Sequence, residues 1–167
     1  MSESGVDDTV EPVVPEEGEE LRYPAKPAKI PDLPIFSILG SIDFSDHFVL
    51  LGEVGTGKST IVPIHEFEKS GRTRRIIIRE PSRASCNALY YSLQALHPEV
   101  KEHLAIITKD TKLNIEGKIK IVTDGVLIRM LADRSVTGTS IYFDESHQMT
   151  SQLELCMSLA KKYETAA

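Results

Sequence analysis

Two short stretches of this chain carry residue types that could do chemistry together. The first is Gly52-Glu53-Val54-Gly55-Thr56-Gly57-Lys58-Ser59-Thr60, which directly follows the apolar run Phe48-Val49-Leu50-Leu51. Glycines at 52, 55 and 57 let the backbone turn tightly and leave its N–H groups free to face phosphate oxygens. A helix beginning near Lys58 would add the positive end of its dipole. Lys58 could then reach the β- and γ-phosphates of a nucleoside triphosphate, and the Ser59 hydroxyl could take one Mg²⁺ position. All nine residues, 52 to 60, are therefore candidates for holding the triphosphate.

The second stretch is Asp144-Glu145-Ser146-His147, which closes the apolar run Ile141-Tyr142-Phe143. An acidic residue at the carboxyl end of a buried strand can hold Mg²⁺, directly or through water, and Asp144 is placed for that role. Glu145 could orient and deprotonate an attacking water. Lys58, Asp144 and Glu145 are thus the candidate catalytic residues, with Ser59 and Asp144 as metal ligands. A solvated Asp-Glu pair capping the next helix is the plainer reading of residues 144 and 145. The preceding strand and the loop at 52–60 favour chemistry.

These residues must be positioned by alternating strands and helices, and the apolar patterning supplies them. Short apolar runs at 48–51, 75–78, 104–107, 119–122 and 140–143 read as strands. Helical spacing follows in 58–69, with Pro63 in its second turn, in 82–96 and in 124–133. Ser151-Gln152-Leu153-Glu154 reads as a capping box opening a last helix to about residue 163. Such alternation implies an α/β fold, a parallel sheet with helices on both faces, whose ligands bind beyond the carboxyl ends of the strands.

Composition sets the outer limits. The 167 residues are 41% hydrophobic and 26% charged, ordinary for a soluble globular domain. No apolar run approaches a membrane span, and the acidic N-terminus is not signal-like, so an intracellular, cytoplasmic protein is expected. Residues 1–20 hold eight of the 25 acidic side chains and none of the 19 Lys and Arg. Six of the nine prolines fall within residues 1–34. Residues 1–32 therefore read as an acidic, Pro-rich disordered tail, and 33–167 as the folded body. Cys86 and Cys156 read as small core residues rather than a disulfide. The basic run Arg72, Arg74, Arg75 reads as a solvated turn.

Taken in order, the motifs resemble those of superfamily 2 helicases of the DExH/DEAH type. Residues 52–60 match motif I and 144–147 motif II. Glu80-Pro81-Ser82-Arg83 looks like motif Ia, and Thr123-Asp124-Gly125 followed by an apolar helix looks like motif Ib. Leu33-Pro34-Ile35-Phe36 is similar to a segment preceding the first strand of cellular DEAH-box proteins. The compact spacing of 86 residues from Lys58 to Asp144 resembles helicases of positive-strand RNA viruses.

The resemblance implies a RecA-like P-loop NTPase domain using ATP, or another NTP, with Mg²⁺. It implies that Pro81, Ser82, Arg83, Thr123 and Asp124 lie along a single-stranded RNA and meet its sugar-phosphate backbone. His147 would link the nucleotide site to a partner domain. No Ser-Ala-Thr like motif III follows His147, and no second RecA-like domain with its arginine finger is present in these residues. The chain alone is accordingly expected to hydrolyse NTP weakly, with a second RecA-like domain required in cis or in trans. Two other readings stand beside this one. One is a different P-loop NTPase, such as a kinase or an AAA-type ATPase, which would not need the 81–83 and 123–125 stretches. The other is a non-catalytic RNA- or protein-binding module derived from a helicase domain.

Overall fold

Ile76, Ile77 and Ile78 decide the architecture, because all three are buried and strand geometry sends them alternately to opposite faces. The computed structural model describes residues 33–53, 55–146 and 149–164. Five strands form one sheet: β1 (Arg75–Glu80), β2 (Leu104–Ile107), β3 (Lys112–Leu113), β4 (Ile119–Thr123) and β5 (Thr139–Phe143). Their order across the sheet is β3-β2-β4-β1-β5. β2, β4, β1 and β5 run parallel, whereas β3 pairs antiparallel with β2. The expected parallel sheet is therefore a mixed one. Its antiparallel edge follows from a tight turn in which the Thr108 N–H donates to Thr111 O (2.8 Å) and the Thr111 N–H to Thr108 Oγ1 (3.0 Å).

Among the described residues four α-helices cover the sheet: α1 (Lys58–Lys69), α2 (Arg83–Leu96), α3 (Asp124–Ala132) and α4 (Ser151–Glu164). On one face Ile64 and Phe67 of α1 and Cys86, Leu89, Tyr90 and Leu93 of α2 pack on Ile76 and Ile78. On the other, Val126, Leu127 and Leu131 of α3 and Cys156 of α4 pack on Ile77 and Val122. The two thiols thus lie on opposite sides of the sheet, and both are free. Pro63 is buried within α1, which continues unbroken through it.

Two expectations fail. Phe48–Leu51 forms no strand; Val49 and Leu51 are 83% and 91% exposed. Only Leu50 of the run is half-buried, and Phe48 is itself 38% exposed. The Phe48 ring lies edge-on to Tyr142 of β5 (centroids 5.7–6.2 Å from its aromatic neighbours) and Leu50 packs beside Ile42 and Val62. The run is covered on one side only and makes no ladder to β5, which is the edge strand among the described residues. The capping box at Ser151 is also displaced. Thr150 is the cap, its Oγ1 accepting from the Leu153 N–H at 3.1 Å, so Ser151 already lies inside the helix. The tail at 1–32, Val54 and His147 lie outside the described residues.

Candidate active site

α1 brings its first residue to the end of the sheet where the acidic stretch sits. Glu66, two turns into α1, accepts hydrogen bonds from Ser140 Oγ (2.6 Å) and Tyr142 OH (2.7 Å) of β5. Phe67 packs against His103, which precedes β2. The C-terminal half of α1 therefore covers the beginnings of the strands, and its N-terminus points to their carboxyl ends. Counting back from Glu66 to Lys58 at about 1.5 Å per residue spans roughly 12 Å. Counting forward from Ser140 to Asp144 at about 3.3 Å per residue spans roughly 13 Å. Lys58 and Asp144 reach the same level of the fold.

The loop itself is shaped by its glycines. Gly55 and Gly57 have φ of +82° and +91°, and a Cβ on Gly57 would lie 3.0 Å from Ile35, Ile61 and Leu33 side-chain atoms. Gly57 is also the N-cap of α1, so no side chain caps this helix end. Lys58 Nζ donates to Gly52 O (2.7 Å), Glu53 O (2.7 Å) and Thr56 Oγ1 (3.1 Å), while the Thr56 hydroxyl donates to Glu53 O (2.9 Å). The ammonium thus lies over the loop. Ser59 and Thr60, in the first turn, are half-buried.

At the carboxyl ends of the neighbouring strands, register aligns the remaining candidates. Arg79 on β1 stands opposite Val122 of β4 and Phe143 of β5, and Glu80 opposite Thr123. Asp144 follows immediately after β5. Its N–H donates to Arg79 O (3.1 Å), and the Glu145 N–H donates to Asp144 Oδ1 (2.8 Å). Glu145 has a left-handed backbone, φ +51°, a conformation that side-chain-bearing residues adopt only at a cost. Glu80 is 4% exposed, and burial, then the charge and hydrogen bond of Asp144, push its carboxyl up to about 8. Asp144 and Glu145 place two acidic side chains at this end of the sheet, and the buried Glu80 carboxyl beside them is held mostly protonated at neutral pH.

The nucleic-acid candidates separate into different environments. Ser82 caps α2 in a reciprocal box: its Oγ accepts from the Ser85 N–H (3.0 Å), and Ser85 Oγ accepts from the Ser82 N–H (3.1 Å). Pro81 lies between that cap and Glu80. Arg83 is exposed and paired with Asp110. Thr123 precedes α3 with no side-chain cap hydrogen bond. Asp124, in contrast, is turned inward: it is 5% exposed, and both its carboxylate oxygens are held by the fully buried Arg79 (Nε–Oδ1 2.5 Å, Nη2–Oδ2 2.8 Å). Of the basic run, Arg72 pairs with Glu68, Arg74 with Glu66, and Arg75 donates to Thr137 O.

Arg79 is not singled out by the sequence pattern, and Glu80 only as the first residue of the motif Ia-like stretch 80–83. The one local signal of Arg79 is a charge near the end of an isoleucine strand. A cavity of about 260 Å³ lined by Phe44, Glu66, Lys69 and Arg74 lies towards the other end of α1. Its charges are already engaged, Glu66 with β5 and Lys69 over the Phe44 ring. Among the described residues no three His, Cys, Asp or Glu side chains converge as a metal cage, and no helix is long and apolar enough to cross a membrane.

The mostly parallel sheet with helices on both faces defines an α/β domain, with the glycine loop opening α1 and the acidic stretch following β5. No protein-family model matches the chain. It is 30% identical over 141 residues, 78% of its length, to the probable ATP-dependent RNA helicase DHX35 of Homo sapiens. To the ATP-dependent RNA helicase HrpB of Escherichia coli (strain K12) it is 28% identical over 127 residues, 73% of its length. The chain spans only 20% and 16% of those relatives. The crystal structure of the Escherichia coli DEAH/RHA helicase HrpB superposes with a TM-score of 0.70 at 24% identity, covering 80% of this chain and 18% of that one. The fold is therefore shared with part of that helicase, and the relatives are ATP-dependent RNA helicases.

Proposed function

We propose that residues 33–167 form the first, ATP-binding RecA-like domain of a DExH-type RNA helicase, with residues 1–32 an acidic extension. The observation that supports this reading is the tie of α1 to β5 through Glu66, from which helix and strand rise bring Lys58 and Asp144 to about the same level. In this reading the loop amides and Lys58 hold the triphosphate of ATP or another NTP, the lysine exchanging its loop carbonyls for phosphate oxygens. The donor set suits Mg²⁺: Ser59 and Asp144 offer only hard oxygens. Mg²⁺ needs no protein cage, because substrate phosphates and one or two side chains suffice. When bound, the ion would neutralise charge on the phosphates. Glu145 orients and deprotonates the attacking water.

RNA would run across the carboxyl ends of β1 and β4, meeting Pro81, Ser82, Arg83 and Thr123 through its backbone. A second RecA-like domain, in cis or in trans, would form the other wall of the cleft and contribute an arginine finger, with His147 linking the two. The compact 86-residue spacing from Lys58 to Asp144 fits a helicase of the positive-strand RNA virus kind.

Fluorescence anisotropy with a labelled oligouridylate tests the RNA face. The chain should bind at low salt, and Arg83→Ala should weaken binding and reduce the slope of log affinity against log salt by about 0.7. Absence of binding, or an unchanged slope, contradicts the assignment.

A further inference from the structure

Arg79 is the only arginine among the described residues that is fully buried, and it sits where the two halves of the site meet. β1 is flanked by β4 and β5, so a side chain near its carboxyl end can reach the residues that leave both neighbours. Arg79 does so on the α3 face, the face that Ile77 also occupies. Its Nε and Nη2 hold the Asp124 carboxylate in the first turn of α3. Its Nη1 donates to Asp144 O at 3.0 Å. The peptide joining Asp144 to Glu145 is thereby fixed at both ends: its carbonyl by Arg79, its N–H by Asp144 Oδ1 at 2.8 Å. That peptide carries the left-handed Glu145. Cys156 of α4 closes the cluster from behind, its Sγ 3.8 Å from Asp124 O.

An ion pair is a poor choice for stability alone at such a place, since well-packed apolar residues of similar volume commonly do as well or better. A planar fork that holds a carboxylate with one edge and a carbonyl with the other does what an apolar pair cannot: it fixes relative orientation. We propose that Arg79 is a positioning residue that ties the Asp144–Glu145 peptide, on the nucleotide side, to the first turn of α3, on the nucleic-acid side. A change in the peptide at one end is then felt as a shift of Thr123 and α3 at the other. The proposal rests on the helicase-domain reading above and adds to it the pair that connects its two ligands.

The test is a ratio of affinities. Dissociation constants for a labelled oligouridylate are measured on the full chain without and with a saturating Mg²⁺ complex of a non-hydrolysable ATP analogue. The unaltered chain should show a change of about fivefold or more. Arg79→Lys keeps the charge beside Asp124 but gives up the fork, and should bring the ratio at least halfway to one. The double variant Arg79→Met with Asp124→Leu removes both charges without leaving one unpaired, and should bring it to one. Because each ratio is taken within one variant, a merely structural weakening of either site cancels. A ratio unchanged in the variants overturns the proposal, and so does a ratio of one in the unaltered chain that binds both ligands. Failure of the unaltered chain to bind the analogue or the RNA at all overturns the underlying reading, and the proposal falls with it. Should the double variant not fold, Arg79→Lys decides.

Discussion

Replacing Glu66 with alanine should cost the fold about 3–5 kcal/mol, more than any single surface change. Glu66 is 5% exposed and accepts from Ser140 Oγ at 2.6 Å and Tyr142 OH at 2.7 Å. Hydrogen bonds to a charged acceptor are worth roughly 1.5–3 kcal/mol each. Arg74 Nε adds a third contact at 3.2 Å, but its side chain is 42% exposed, so screening holds it below about 1 kcal/mol. Burial and the bond to Glu66 push the Tyr142 phenol well above its ordinary range, so it remains a donor throughout the neutral region. Alanine leaves both hydroxyls without their acceptor. Glutamine keeps one carbonyl acceptor and should cost about half as much. Against a total stability of about 5–15 kcal/mol the alanine loss is large. Urea denaturation followed by far-UV circular dichroism reads it directly. A Glu66→Ala chain within about 1 kcal/mol of the parent, at the same m-value, would refute the idea that this network anchors α1 to β5.

Other expectations follow from particular positions. Gly57→Ala meets both a φ of +91° and three side-chain atoms at 3.0 Å, whereas Gly71→Ala meets a φ of +65° and open space; the first should cost about 2–3 kcal/mol and the second about 1 in the same denaturation assay. Burial raises the Cys86 thiol to about 12 and the Cys156 thiol to about 11, so neither should react with Ellman's reagent at pH 8 until the chain is unfolded. Asp110→Asn releases Arg83 from its ion pair and should tighten oligouridylate binding about two- to threefold, read by anisotropy at low salt. Unchanged or weaker binding would mean that Arg83 does not face the RNA.

Much of this arrangement was legible in the residues because local pattern and tertiary burial agree there. The isoleucine run of β1, the spacing of Leu89 and Leu93 in α2, and that of Val126, Leu127 and Leu131 in α3 all point to the sheet that buries them. Phe48–Leu51 shows the limit of that method. An apolar run without periodicity does not reveal whether its sides find cover, and here Leu50 alone packs against a buried cluster. β3 is two residues long and exists because of a turn at Thr108–Thr111, below the length at which a pattern can be read. Thr150 and Ser151 are both good caps, and only the hydrogen bond to Leu153 separates them. At the site, the glycine loop and the Asp-Glu pair announce themselves by composition. The ion pair between Arg79 and Asp124, 45 residues apart, is a product of strand order, and nothing local encodes it.

The roles proposed for Ser59, Asp144 and Glu145 all depend on the loop at 52–60 holding a triphosphate through Lys58. Titration of the chain with a fluorescent ATP analogue in Mg²⁺, beside the Lys58→Ala variant, tests it most directly. A charge-assisted contact of about 1.5–3 kcal/mol predicts an affinity at least about tenfold weaker in the variant. Equal binding by the two chains, with the variant folded as the parent, would contradict it.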